Sequence, residues 1–391
     1  MPDASNLPLQ TPNRPRKGFE VVRWMDLVGG AIERHAKWWI KLGSIETKLL
    51  DGALADVTID RPIYVTGLAR SGTTILLETL ARHPNVATHR YRDFPLLFTP
   101  YLWNRWLDLV PRQPEAPAER SHGDGIAVTS ESPEAFEEPL WMAFFANQHE
   151  SAISAVLDGS ASYPSFERFY RDHIRKLLAV RGGCRYAAKG NYNVTRIAYL
   201  AKLFPDARFV IPVRDPIWHV ASLMKQHRLF LDGQHGNPMA ARHLRRVGHF
   251  EFGEDRRPIN CGDAAAAAEI EALWRGGEEV RGWARYWSRL HGYIADLVEG
   301  DTGLRRAVSI VRYEDLCAAP RAVLAKLLVH CGLPASAGFL SSVAGRFHQP
   351  TYYRPRFSAA ELSIIAAETA ETARRFGYEA DHAGALRQSA E

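Results

Sequence analysis

Three groups of residues in this chain have the types and spacing to handle an anion. The first is Gly67-x-x-x-x-Gly72-Thr73-Thr74, with Arg70 and Ser71 inside it. In such a loop successive backbone N–H groups, with a helix N-terminus behind them, point at one phosphate-like group. A loop built for a nucleoside triphosphate carries Lys after the second glycine. Here Thr73 holds that position and Arg70 is the nearest cation, so the loop suits a smaller anionic group. An ordinary strand, glycine turn and helix share this local pattern, and the loop alone does not separate the two readings. The second group is Arg214-Asp215-Pro216, followed eight residues later by Ser222. Arg214 falls where a strand hands over to a capped helix, the place where open parallel sheets bind ligands. Ser222 lies about two helical turns further on. The third is Lys189, at the end of a short strand pattern.

The elements that must position these groups are legible in the hydrophobic pattern. Ile63, Tyr64 and Val65 read as a strand, stopped by Gly67, and Leu76, Leu77 and Leu80 give the following segment one apolar helical face. Residues 184–188 read as a strand, 194–204 as a helix, 208–213 as a strand, and Asp215-Pro216 as the cap of the next helix. Strand, helix, strand, helix at this spacing predicts a parallel sheet with right-handed crossovers. Pro212 cannot donate to a central ladder and belongs at the C-terminal end of its strand. A late strand over 307–312 precedes Tyr313-Glu314-Asp315-Leu316 and a helix over 320–331. Helices are expected over 164–181, 264–299 (broken at Gly276-Gly277), 336–345 and 358–376. Ser132-Pro133 reads as the cap of an acidic helix start carrying Glu131, Glu134, Glu137 and Glu138. The helix dipole accounts for most of these carboxylates, and a catalytic role for one of them stays open.

Gly-x-x-Arg-Ser-Gly-Thr-Thr resembles the 5′-phosphosulfate loop of sulfotransferases that use 3′-phosphoadenosine 5′-phosphosulfate (PAPS). Arg208-Phe209-Val210-Ile211-Pro212-Val213-Arg214-Asp215-Pro216, with Ala221-Ser222-Leu223, is similar to their 3′-phosphate site. The Tyr-Glu-Asp-Leu after the late strand also matches, so the resemblance runs over roughly 60–335. It implies a P-loop-like three-layer α/β fold, a central parallel sheet flanked by helices, with helical extensions. It implies transfer of a sulfuryl group from PAPS to a hydroxyl of a small-molecule, lipid or carbohydrate acceptor, with no metal required. By this resemblance Arg70 meets the 5′-phosphate and sulfuryl oxygens, with Gly67, Ser71, Gly72, Thr73 and Thr74 forming the loop. Arg214 and Ser222 grip the 3′-phosphate, Tyr313 lies near the adenosine, and Arg354 and Arg356 close over the nucleotide. Lys189-Gly190-Asn191 is similar to a stretch of the tyrosylprotein branch whose Lys reaches the reacting group. Relatives place a Glu or His base shortly after the first helix. This chain has no Glu there, so Asp93 is the first candidate and His89 the second. A small-molecule kinase of the same loop class and a binding protein that has lost catalysis are the rival readings.

Composition sets the frame. The chain has 391 residues, 46% of them hydrophobic and 24% charged, which is a globular balance. A net charge of +5 suits a polyanionic small molecule and is too weak to imply nucleic acid. Cys184, Cys261, Cys317 and Cys331 have no metal-ligand spacing. With no signal-like start and no apolar run of membrane-spanning length, the expectation is a cytoplasmic protein; oligomeric state is open. Residues 1–17 read as a flexible arm, and 18–391 as one α/β domain with an N-terminal helix and C-terminal helices. Two insertions, about 108–130 and 228–263, read as lids. The N-terminal pattern from Phe19 to Leu54 is amphipathic, basic and rich in tryptophan; such a helix packs on its own domain or lies on a membrane surface.

Overall fold

The structure, a computed structural model, describes residues 19–111, 115–120, 126–349 and 354–378. The expected arm at 1–17 and parts of the first expected lid therefore lie outside the described residues. The N-terminal amphipathic pattern forms three helices, α1 (Arg23–Arg34), α2 (Ala36–Leu49) and α3 (Asp51–Leu54). The chain leaves helical geometry at His35 (φ −119°, ψ 34°) and Leu50, which splits the single expected helix. Strand β1 (Ile63–Val65) runs through the glycine loop into α4 (Thr73–Ala81), and β2 (Val86–Ala87) and α5 (Pro100–Leu109) follow. A two-residue ladder, β3 (Ala118–Glu119) against β4 (Ala127–Val128), occupies the first expected lid.

The acidic helix begins later than the sequence suggests. Its first residue is Glu138, not Pro133, and α6 spans Glu138–Phe144. The backbone of 130–134 is occupied elsewhere: Tyr91 donates to the Ser132 carbonyl (3.1 Å), Glu134 donates to the His89 carbonyl (3.0 Å), and Arg90 bridges Pro133. Next come α7 (Pro164–Arg181), β5 (Arg185–Lys189), α8 (Ile197–Leu203) and β6 (Arg208–Val213). The expected lid at 228–263 is helical in its first half: α9 (Pro216–Gln234) runs into it, and α10 (Pro238–Arg246) follows. Beyond α10, Phe250, Phe252 and Ile259 are buried in the main core. Then come α11 (Ala264–Arg275), α12 (Glu279–Gly300), α13 (Thr302–Ala307), β7 (Val308–Arg312), α14 (Tyr313–Ala318), α15 (Pro320–His330), α16 (Ala337–Ala344) and α17 (Ala359–Arg375).

The five-stranded sheet has the order β2-β5-β1-β6-β7, and every neighbour pair is parallel. Strands buried on both faces must be apolar, and β1 is, as is β6 after its half-buried first residue Arg208. Alternation then assigns each residue to a face. Ile63 and Val65 pack with Leu76, Leu77 and Leu80 of α4 and with α15, whereas Tyr64 and Phe209 face the larger core beneath α7, α8 and α12. Leu76, Leu77 and Leu80 are 0–1% exposed, and each such side chain contributes on the order of 1.5–3 kcal/mol. Pro212 pairs only with Val311 of β7, because the β1 ladder stops at Val210; the sheet loses no hydrogen bond to it on the β1 side. The described helices include none long and apolar enough to cross a membrane.

Candidate active site

The glycine loop leaves β1 at the C-terminal edge of the sheet and is held at several points. The Thr66 amide donates to the Val210 carbonyl (3.0 Å), and its hydroxyl donates to the Gly190 carbonyl (2.7 Å). Loop, β5 end and β6 are thereby tied together. Gly72 caps α4 with φ +108°, and a Cβ there would stand 2.8 Å from the Tyr313 ring, so both backbone and space demand glycine. Arg70 is a non-glycine residue with φ +71°, a conformation that costs about 1–3 kcal/mol and persists only where surroundings impose it.

The imposing contact is identifiable. Trp287 Nε1–H donates to His219 Nδ1 (3.1 Å), which puts the imidazole proton on Nε2. His219 Nε2–H then donates to the carbonyl of Ala69 (2.8 Å), the residue before Arg70. Burial holds the His219 imidazole neutral, with its pKa well below the ordinary range, as the donor–acceptor role requires.

Loop and strand ends bring several expected residues together. Arg70, Thr73, Thr74 and Lys189 all line one cavity of about 390 Å³. Arg70 Nε reaches Ser222 Oγ at 3.5 Å, joining the first motif to the second. Arg214 is buried at the end of β6, its guanidinium 5.2 Å from the Tyr313 ring that packs on Gly72. Ser71 is fully buried, and its hydroxyl finds no hydrogen-bond partner among the described residues. Arg354 and Arg356 are exposed on a segment that follows residues 350–353, which lie outside the described residues.

Asp93 and His89 are placed differently from the sequence expectation, and neither lines the cavity. Asp93 is wholly buried. Its carboxylate accepts from His89 Nδ1 (3.1 Å), the Arg90 amide (2.9 Å) and Asn104 (2.9 Å), and pairs with Arg181. Burial alone would raise its pKa; the hydrogen bond and charge of His89 and the charge of Arg181 outweigh it and hold the carboxyl well below the usual range. His89 Nε2 meets His173 Nε2 at 3.0 Å in the same buried cluster. This is an anchor for the 89–93 turn, and it leaves Asp93 neither access nor basicity.

Glu134 stands where the base was expected. Its backbone pairs with His89, so a segment some forty residues later runs alongside the turn and delivers a carboxylate to the cavity wall. One carboxylate oxygen accepts from the Ala135 amide (2.6 Å), and the Tyr91 hydroxyl hydrogen-bonds to the same carboxyl group. Burial and the Glu134 charge push the Tyr91 phenol far above its ordinary range, so it stays a neutral donor. Lys189 has its pKa lowered by burial, opposed chiefly by Glu134, while Arg120 and Arg70 add to the lowering and Glu251 opposes it. His249 lines the same wall, with Nδ1 3.3 Å from Glu251, and burial holds its pKa down. The sequence signal for Glu134 was only its place in an acidic run; the pairing that aims it is tertiary.

The chain is thus a parallel α/β protein with a glycine loop between β1 and α4 and Arg214 at the end of the neighbouring strand β6. Residues 62–251, from β1 to the cavity wall at Glu251, match a family model described as Sulfotransferase family. The chain is similar in structure to sulfotransferase STF9 from Mycobacterium avium, at 16% identity and a TM-score of 0.49, over 85% of this chain and 82% of that one. It is similar to sulfotransferase STF1 from Mycobacterium tuberculosis at 18% identity and a TM-score of 0.42, over 92% and 99%. A sulfotransferase from Alicyclobacillus acidocaldarius aligns at 13% identity and a TM-score of 0.38, over 81% and 94%. These are likenesses of fold, and nothing about substrate follows from them. No curated protein matches the sequence.

Proposed function

We propose that the chain transfers a sulfuryl group from PAPS to a hydroxyl of an apolar or amphipathic small molecule. The observation that carries this reading is the convergence of Arg70, Lys189 and Glu134 on one cavity, beside a loop whose buried Ser71 hydroxyl has no hydrogen-bond partner among the described residues. The donor supplies the sulfuryl group and a leaving group, adenosine 3′,5′-bisphosphate. Gly67 to Thr74 would hold its 5′ end, and Arg214 and Ser222 its 3′-phosphate; Tyr313, Arg354 and Arg356 are assigned to the nucleoside side. Two cations at the loop end of the cavity, Arg70 and Lys189, stabilise charge that builds on the bridging oxygen as the S–O bond breaks. Arg70 is always charged and acts by electrostatics alone. Glu134 accepts the proton of the acceptor hydroxyl as its oxygen bonds to sulfur, with Tyr91 orienting the carboxylate. Phe19, Val21, Met25, Phe94, Phe136 and Phe252 give the cavity an apolar share beside its polar groups, which suits a hydroxyl compound with a hydrophobic body.

Glu134→Gln keeps the shape and removes the basicity. Turnover from PAPS with a mixed library of phenols and alcohols is expected to fall roughly 10²–10⁴-fold, with adenosine 3′,5′-bisphosphate affinity unchanged. Near-normal turnover in this variant, with a collapse in His249→Gln, would move the base to His249. No sulfuryl transfer by the unsubstituted chain to any hydroxyl acceptor would overturn the reading.

A further inference from the structure

Helix α2 carries an apolar stripe on the wrong side. Trp38, Leu42, Ile45 and Leu49 recur at i, i+4, i+7 and i+11, which puts them on one helical face, and their exposure runs from 38% (Leu42) to 72% (Leu49). The opposite face is the one packed on the protein. Gly43 lies against the Phe98 carbonyl and the Phe169 ring, and Glu46 pairs with buried Lys176 at 2.9 Å. Helix α5 has a second stripe, Leu102, Trp106 and Leu109, exposed from 46% to 82%. Both helices pack on α7, and the Leu102 amide donates to Glu46 (2.7 Å), so the stripes are neighbours. Seven large apolar side chains on one face are more than scattered exposure explains.

The charges on this face are one-sided. The exposed charges of α2 are Lys37, Lys41 and Lys48, and its only acid, Glu46, is buried in an ion pair. Arg105 is exposed on α5, and Asp108 is paired with Arg92. A second copy docked stripe to stripe through a two-fold axis would set lysine against lysine. A surface of anionic lipid headgroups complements the lysines and accepts the apolar stripe at the acyl boundary, with Trp38 and Trp106 at the interface. We propose that the α2–α5 face docks the protein peripherally on an anionic bilayer. This goes beyond the transfer reaction and stands whatever the acceptor is.

The full chain is incubated with vesicles of phosphatidylcholine alone or mixed with phosphatidylglycerol. Co-sedimentation and hydroxyl-radical footprinting of Trp38 are read together. The proposal expects sedimentation with the anionic vesicles, weakening with salt, and protection of Trp38 only when those vesicles are present. Trp38→Ser/Leu42→Ser and Lys37→Glu/Lys41→Glu/Lys48→Glu, both at exposed positions, should each lower the apparent affinity at least about tenfold with the melting temperature held. No sedimentation, equal binding by the variants, or Trp38 already protected in free chain overturns the proposal. A dimer in solution that Trp38→Ser splits also overturns it, and assigns the face to a second copy.

Discussion

Lys189 closes β5 at the cavity rim, where burial lowers its pKa and the Glu134 carboxylate restrains the fall. Its proposed task requires the charged form, so the sign of the pH dependence follows. Activity should decline as pH rises through the lowered pKa, earlier than an ordinary lysine near 10.5 would dictate. Lys189→Arg should retain part of the rate and push the alkaline limb out of range, because guanidinium does not titrate there. Lys189→Ala should lower kcat strongly and leave adenosine 3′,5′-bisphosphate binding nearly unchanged. An alkaline limb identical in the unsubstituted chain and Lys189→Arg, or a bisphosphate affinity that falls as much as the rate, would contradict this role. At this scale the sequence located Arg70, Ser71, Lys189, Arg214 and Ser222 at or just beyond strand ends, because each belongs to a short motif there; their roles are proposals. It misled for Asp93. A buried carboxylate with four partners and an exposed catalytic one look alike in a string of letters; burial and Arg181, 88 residues away, separate them.

At the scale of elements, the strained loop is propped by two helices. Trp287 of α12 sets the tautomer of His219 on α9, and His219 holds the carbonyl before Arg70. His219 does not line the cavity, and the role proposed for it is to position the loop. Removing it strands a buried carbonyl and releases the φ +71° conformation. His219→Ala should raise the KM for PAPS on the order of tenfold or more, with a smaller change in kcat. His219→Gln, which can present an N–H to the same carbonyl, should recover part of it. A loss of stability with unaltered KM, and no recovery in His219→Gln, would reduce His219 to packing. None of this contact was visible in the sequence, since a histidine one turn into a helix has no local signature. Strands β1, β5, β6 and β7, helix α4 and the parallel arrangement were legible, because these strands are short runs with clear stops. The start of α6 was not: Pro133 and Ser132 form a good local cap, yet pairing with 89–92 takes their backbone groups first. The stretch 228–263 looked like a lid for the opposite reason. Its helix α10 carries Arg242, His243, Arg245 and Arg246 in nine residues, while Phe250, Phe252 and Ile259 are buried through tertiary contacts that a periodicity search does not register.

Over the whole molecule, the sheet order β2-β5-β1-β6-β7 is what makes the site. β1, β5 and β6 are neighbours, so their C-terminal ends deliver the loop, Lys189 and Arg214 to one edge, and β7 adds Tyr313 beside them. Sequence spacing gives the strands but not their lateral order; the 5′ and 3′ halves of the proposed nucleotide site meet only because β6 lies next to β1. The central claim is that these two halves read two phosphates of one nucleotide. It is tested most directly by calorimetric titration of adenosine 3′,5′-bisphosphate and of 5′-AMP into the full chain and into Arg214→Ala. Charge-assisted contacts to the 3′-phosphate should favour the bisphosphate by about 2–4 kcal/mol, roughly 30- to 1,000-fold in affinity, and Arg214→Ala should erase most of that difference. Equal affinity of the unsubstituted chain for the two ligands would contradict the account.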